Sequence, residues 1–384
     1  MTAFFSANQA PLRVALAMLC SALPAQAQTN TQVYGRLNLG LTHYAGYGPG
    51  HPEGARLHSL SSRLGVKGSE DLGQGLQAIF MVESGFSADT GDGGLANREA
   101  SVGLAGPWGQ VKLGFMLSPL DDLHSIAGPG WVTSVTNDNL NGFWANGYSN
   151  LFAGGGTRGC VQVAGPDGNA NSFAFDNRIG NSIRYDSPLF AGGWRFATQY
   201  ALGESSCGAR ASSNKLQYQG QGWTLALAAQ FHHHVRGEGL NDAIWMLAGG
   251  WQIAPEHYLG FWWQTLRYDN PGLQDLRQRA WGLNWRQSYG AHQFELAYYR
   301  AGAGSGAQTP VFSGIYTGAD SAAGLISLGW RYKLSKRSEL WAHALQLRNG
   351  AASAYELGAG GKAGAPGTMG AKPRALALGM KHDF

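Results

Sequence analysis

The chain has 384 residues, a formal net charge of +4, and an unusual share of glycine (58 residues) together with 13 Trp, 15 Tyr and 16 Phe. Only 14% of its residues are charged, against about 25% in an average soluble protein; it is aromatic-rich rather than disordered, and its basic residues are too dispersed to suggest nucleic-acid binding. Past the amino-terminal segment no apolar run reaches the roughly 20 residues a spanning helix needs, so if this chain crosses a bilayer it does so as a closed barrel.

The first segment has the order of an export signal: Arg13, then the apolar stretch Val14 to Leu23, then the small-residue site Ala25-Gln26-Ala27. Cleavage after Ala27 is expected, giving a signal peptide over 1–27 and a barrel domain over 28–384. Cleavage removes Cys20 and leaves Cys160 and Cys207, an even pair in a chain exported to an oxidising compartment. A disulfide between them is expected; two unpaired thiols are the alternative.

Barrel strands read as segments of about ten residues that alternate apolar and polar side chains, one face for lipid and one for the lumen. Val33 to Leu41 sets Val33, Leu37, Leu39 and Leu41 against Arg36 and Asn38; Arg178 to Leu189 sets Ile179, Ile183, Tyr185 and Leu189 against Arg178, Ser182, Arg184 and Asp186. Ala322 to Ser335 repeats the pattern. Marking every such run predicts strands at 31–45, 56–71, 75–89, 97–106, 109–117, 178–189, 193–203, 214–220, 222–234, 241–254, 257–269, 276–288, 291–303, 322–335, 338–350 and 373–384. Short connections alternate with long ones, as in an outer-membrane barrel with an even strand count. The fold class is therefore all-β: a sixteen-stranded antiparallel transmembrane β-barrel with long external loops.

The connection from Ser118 to Asn177 is far longer than the roughly 12–15 residues beyond which loops tend to be functional or disordered. It carries Trp131, Phe143, Trp144, Tyr148 and Phe152, enough apolar material to pack inside a wide barrel or to form an external flap. At the other end, Leu376, Leu378, Met380 and Phe384 form an apolar alternation closing on a terminal aromatic, which reads as a signal to the barrel assembly machinery.

At this point the chain resembles the general trimeric porin family of Gram-negative outer membranes, in its β-proteobacterial branch. The likeness rests on Val33-Tyr34-Gly35-Arg36, on Ser62 to Gly73 (SRLGVKGSEDLG), on Phe80 to Phe86, on Asn97 to Leu104, on Gly109 to Gly114 and on the closing Gly379 to Phe384. It implies an inward-folded third loop facing a basic ladder on the wall. Matched by motif, the ladder comprises Arg36, Arg63, Arg98 and Arg178, with Lys67, Lys112 and Arg184 sharing the inward parity and Glu83 pairing with neighbouring arginines. Alternation independently turns Arg36, Arg63 and Arg178 inward. An arginine facing lipid at mid-strand would cost roughly 2–4 kcal/mol. The long loop departs from the family: it lacks a Pro-Glu-Phe-Gly-like core, offers Asp121, Asp122 and Asp138 as scattered acids, and its Cys160 suggests a tie to Cys207 in the next external loop.

The resemblance implies a water-filled channel for passive diffusion of small hydrophilic solutes and ions, mildly anion-selective, working as a homotrimer among outer-membrane lipid and lipopolysaccharide. A substrate-selective channel, or a plugged barrel acting as adhesin or enzyme, remains open as an alternative. No catalytic constellation or cofactor motif stands out. His232-His233-His234 invites a metal reading, but in a strand only His232 and His234 share a face, so no metal site is expected.

Overall fold

The computed structural model describes residues 29–50, 53–127, 143–146, 148–152, 174–203, 208–307, 315–357 and 368–384. The signal segment, Asp138, Cys160 and Cys207 lie outside them. Alternating sequence gives strands β1 (Thr29–Ala45), β2 (Gly54–Ser59), β3 (Arg63–Gly73), β4 (Leu76–Gly85), β5 (Glu99–Gly106), β6 (Gly109–Leu117), β7 (Tyr148–Leu151), β8 (Asp176–Asp186) and β9 (Trp194–Leu202). There follow β10 (Arg210–Gln219), β11 (Trp223–His233), β12 (Asn241–Ala254), β13 (His257–Tyr268), β14 (Leu276–Tyr289), β15 (His292–Ala301), β16 (Ala323–Lys333), β17 (Ser338–Asn349) and β18 (Arg374–Asp383).

These eighteen segments make a sixteen-stranded wall. β2 and β3 are halves of one wall strand, since both pair with β1; they are interrupted at Ser61, whose φ is 59°, and Asn38 donates its backbone N–H to Ser62 Oγ there. β7 is not part of the wall. It runs parallel to β8, pairing Tyr148 with Asp176 and Leu151 with Ile179, and belongs to the long loop between β6 and β8. All wall pairs are antiparallel, and β1 against β18 closes the ring, from Arg36–Asp383 to Ala45–Arg374.

The wall obeys the two-residue period. In β14, buried Gln278, Ala280, Gly282 and Asn284 alternate with exposed Arg279, Trp281, Leu283 and Trp285, because successive side chains point to opposite faces. Tight turns join strands at the periplasmic end; in the β3–β4 turn, Gln74 and Gly75 have φ of 53° and 78°, the two left-handed positions a type I′ hairpin requires. The predicted strands are all present. Two boundaries differ in a way that bears on the lumen: β5 begins at Glu99, leaving Arg98 in the preceding loop, and β10 reaches back to Arg210.

The loop after β6 turns into the barrel. Its first part is a 3₁₀ turn (Asp121–Leu123) running into a helical turn (His124–Ala127). Leu120, Leu123, Ile126, Phe143, Trp144, Leu151 and Phe152 are buried in one apolar cluster with Ile244, Met246, Ala248, Trp262, Leu266 and Tyr268 of β12 and β13. The lumen face of these strands is largely apolar where the loop covers it, and its polar member Gln264 accepts the Ala145 N–H at 2.7 Å. Contact is close enough to need glycine: a Cβ on Gly260 would stand 1.9 Å from the Ala127 carbonyl oxygen, and one on Gly250 2.6 Å from that of Ile126.

The carboxyl terminus completes the seam. Phe384 and Gly35 exchange backbone hydrogen bonds at 2.9 and 3.0 Å, and the Phe384 ring lies where a Gly35 Cβ would be, 2.4 Å away. Gly35→Val is expected to displace that ring and destabilise the barrel by roughly 1–3 kcal/mol, read as a lower temperature for the heat-induced mobility shift on gels; Leu37→Val, on the lipid face of the same strand, serves as the tolerated control.

Candidate functional site

Inward alternation, repeated around the wall, places ionisable side chains at similar heights on neighbouring strands, where they pair. Glu83 of β4 is the hub of one group. Arg98 Nε donates to its Oε1 at 2.7 Å, Tyr34 OH donates to Oε2 at 3.0 Å, and Arg63 Nε lies 3.7 Å away. Arg36, opposite Arg63 in the β1–β3 register, donates to Asp383 Oδ1 at 2.6 Å. Three guanidinium groups thus meet two carboxylates, and each arginine side chain keeps 15–21% of its surface open to the lumen.

From Asp383 the chain of charges continues around the wall. Lys381 stands 3.4 Å from Asp383 and 3.1 Å from Glu339, Arg331 bonds to Glu295 of β15, and Arg286 lies over the Tyr258 ring at 4.9 Å. In the other direction, Lys112 is 3.7 Å from Glu99. Arg184 meets Asp186 and the loop residue Asp122, each at 2.7 Å, and Lys215 meets Asp122 at 2.5 Å. Lys67 is exposed, lies over the Tyr34 ring at 5.1 Å, and faces a polar recess of about 330 Å3 shared with Gln32, Glu99, Gln110 and Lys112.

The structure therefore brings together Arg36, Arg63, Arg98 and Glu83, and adds Lys67, Lys112 and Arg184 to the same lumen. It separates Arg178 from the other three arginines. Arg178 pairs with Leu117 and Asn150 in backbone register at the neck of the long loop and is buried beside Asp121. Asp122 is held by Arg184 of β8 and Lys215 of β10.

Asp121 is part of the clasp that closes the loop's neck. His124 Nε2 lies 3.2 Å from Asp176 Oδ2 and its Nδ1 3.7 Å from Asp121 Oδ1, with the Trp144 ring 4.3 Å from the imidazole. Burial and the neighbouring Asp176 carboxylate push the Asp121 carboxyl up to about 8. Among the described residues, these three offer the one group of donors, within 4.8 Å of one another, of the kind a cation could use.

The sequence pattern did not single out the carboxylates Glu295, Glu339 and Asp383 or the bases Lys215, Arg286 and Lys381 as members of this lumen. Their inward parity was available; their partners, on strands distant in sequence, were not. A second contact links the outer mouth to the inner loop: the Tyr355 ring packs edge-on against Phe143 at 5.5 Å, and its hydroxyl accepts a hydrogen bond from Gln278 Nε2 at 2.8 Å.

The Gram-negative porin family profile matches residues 14–352. The chain belongs to the Gram-negative porin family. It is a β-barrel of the outer membrane. It is 30% identical over 237 residues to the major outer membrane protein P.IB of Neisseria lactamica, covering 60% of this chain and 61% of that protein. With the Neisseria gonorrhoeae protein of the same name it shares 29% identity over 232 residues, 58% of each. The chain thus spans about three fifths of the length of these curated relatives. The anion-selective porin from Comamonas acidovorans has the same fold, with a TM-score of 0.68 at 21% identity over 93% of this chain and 100% of that one. So does the trimer form of OmpT from Vibrio cholerae, with a TM-score of 0.63 at 14% identity over 93% and 99%.

Two predictions follow from the lumen and its outer contact. Gly260→Ala should force the Ile126–Ala127 turn off the wall, at roughly 1–3 kcal/mol, and change single-channel conductance while leaving the barrel's far-ultraviolet circular dichroism unchanged. Beside Tyr355, Glu356 is half-buried, and burial pushes its carboxyl up to about 7. Its folded-state value is raised above the unfolded one, so the packed Ser353–Leu357 segment is most stable below about 4.5, loses stability as pH rises through about 7, and changes no further above that. Proteolysis of this loop should accelerate over that window, and Glu356→Gln should remove the pH dependence.

Proposed function

We propose that this protein is a passive, water-filled diffusion channel for small hydrophilic solutes and ions, with a mild preference for anions. The observation that carries the reading is the inward group of Arg36, Arg63 and Arg98, which shares only Glu83 and Asp383 and keeps surface open to the lumen. A ring of basic side chains lowers the entry barrier for anions and raises it for cations. Internal pairing tempers the field, so the preference is modest. The fold shared with an anion-selective porin supports this reading, as does family membership, which favours a channel over an enzyme.

By the same likeness the working unit is a homotrimer; a relative in fold is recorded in a trimer form. The mature chain begins at Gln28, Cys160 and Cys207 form a disulfide, and the terminal Phe384 serves recognition by the barrel assembly machinery. The pairing of Phe384 with Gly35 at the closing seam fits a residue needed when the barrel shuts.

Planar-bilayer recording tests the channel. Discrete conducting steps with a reversal potential on the anion side of a salt gradient are expected, and absence of steps would falsify the reading. Substituting Glu83 and the arginines should move selectivity in opposite directions. Glu83→Gln releases Arg63 and Arg98 and should increase anion preference, whereas Arg63→Gln with Arg98→Gln should decrease it. A cation-side shift on Glu83→Gln would remove the arginine group from the selectivity argument.

A further inference from the structure

The lumen face of β4 carries Glu83, and the two-residue period puts Met81 and Ile79 on that same face. Neither belongs to the buried cluster under the long loop. Both are half-buried and line the recess of about 330 Å3 that Lys67 faces. Two apolar side chains thus meet the water of the lumen beside charged neighbours, where a wall built only to pass ions would place polar groups.

Strand register arranges the recess as two adjacent rungs. In one, Gln32 stands opposite Lys67, Lys67 opposite Met81, and Met81 opposite Ser101. In the other, one step nearer the periplasmic turn, Asn30 stands opposite Ser69, Ser69 opposite Ile79, Ile79 opposite Gly103, and Gly103 opposite Lys112. Each rung is apolar in the middle, on β4, and polar toward both sides. Gly103 carries no side chain, which leaves Ile79 uncovered toward Lys112.

The two lysines are in different electrostatic states. Lys112 lies 3.7 Å from Glu99, whose Oε1 also accepts from Ser101 Oγ at 3.0 Å. Lys67 makes no ion pair among the described residues; its ammonium lies over the Tyr34 ring and its side chain is exposed. One unmatched positive charge therefore borders an apolar floor. Lys67 follows Arg63 by four residues along β3, about 13 Å nearer the periplasmic end, so a solute that has passed the Arg36–Arg63–Arg98 group meets this recess next.

We propose that the recess is a binding subsite for an aromatic monocarboxylate. Lys67 pairs with the carboxylate, Gln32 offers an amide donor beside it, and the ring lies on Met81 and Ile79. The charge count selects a single carboxylate, because Lys112 is already engaged by Glu99. The floor selects the apolar body: an inorganic anion gains nothing from Met81 and Ile79, whereas a ring removes apolar surface from water there and gains the thioether–aromatic contact that methionine provides. The volume lies at the lower end of the roughly 300–1,000 Å3 of small-molecule pockets, enough for one ring and its carboxylate. A part for this subsite in permeation rests on the channel reading.

Benzoate is the probe, with acetate as the charged head without the body and benzamide as the body without the charge. Binding to purified barrel in detergent would be followed by ligand-observed NMR, and occlusion of the potassium chloride current by benzoate would be recorded in planar bilayers. Saturable binding of benzoate is expected, at least about tenfold tighter than that of acetate or benzamide. Lys67→Gln should weaken benzoate on the order of tenfold and erase its advantage over benzamide. Ile79→Ser with Met81→Ser should weaken it by a similar factor and erase its advantage over acetate. Lys67→Arg and Met81→Leu should retain binding, and Met81→Gln alone carries the second comparison should the double serine variant fail to fold. Equal binding of acetate or of benzamide by the wild type, or undiminished benzoate binding by Lys67→Gln, would overturn the proposal. Wild-type barrel that conducts but shows no saturable benzoate binding would overturn it too and leave the channel reading standing. Barrel that binds benzoate with this variant pattern but does not conduct would defeat the channel reading and uphold the subsite.

Discussion

The pairing of β1 with β18 is the interaction on which the rest of the structure depends. An open sheet in hydrocarbon would leave two rows of unsatisfied backbone groups, and closure removes both. Once closed, sixteen strands enclose far more space than their own side chains can fill. The inner face is then a wall around water, and the sequence must both keep that space wet and prevent it from being featureless. The inward loop and the ring of charges are the two answers this chain gives.

The loop and the charges divide the wall between them. Where Leu120 to Ala127, Phe143 and Trp144 lie on β12 and β13, lumen positions are mostly apolar or glycine, with Gln264 bonded to the loop backbone; the ionised lumen groups lie on other strands. Asp122 stands at the border, a loop residue held by Arg184 and Lys215 of the wall. Pairing matters because these groups are half out of water. A lone guanidinium there would be costly, and one neutralised by a dedicated carboxylate would contribute little field. Sharing three arginines between Glu83 and Asp383 lies between those limits, stable enough to persist and still net positive toward the lumen.

Much of this was legible in the sequence because the barrel repeats a period of two. Strand positions and inward parity followed from that period, and the pairing of Glu83 with arginines followed from parity together with the family likeness. Ala243 to Gly250 was less transparent. It is apolar on both faces, and the reason lies in Ile126, Phe143 and Trp144, loop residues whose contact with it is set by tertiary packing alone. Arg36 and Asp383 are 347 positions apart and meet because the ring closes, which no local pattern encodes. Arg178 was inward as expected, yet the register of β8 against β6 and β7 carries it to the loop's neck and away from its supposed partners. Parity states which face a side chain occupies; height along the barrel depends on the cumulative register of every strand before it.

The arginines of this protein fall into two electrostatic situations that share one cause. Inside, guanidinium groups are bordered by a low-dielectric wall and a narrow column of water, and each of Arg36, Arg63, Arg98, Arg184 and Arg331 has a carboxylate partner within the chain. Outside, at the external rim of β14 to β18, Arg279, Arg300, Arg348 and Arg374 have no such partner among the described residues, although the strands that carry them supply Glu295, Glu339 and Asp383 to the lumen. The same strands therefore have carboxylates available and place all of them on the inner face. The acids of β15, β17 and β18 thus all serve the inner face, where a guanidinium has only a narrow column of water and the low-dielectric wall around it.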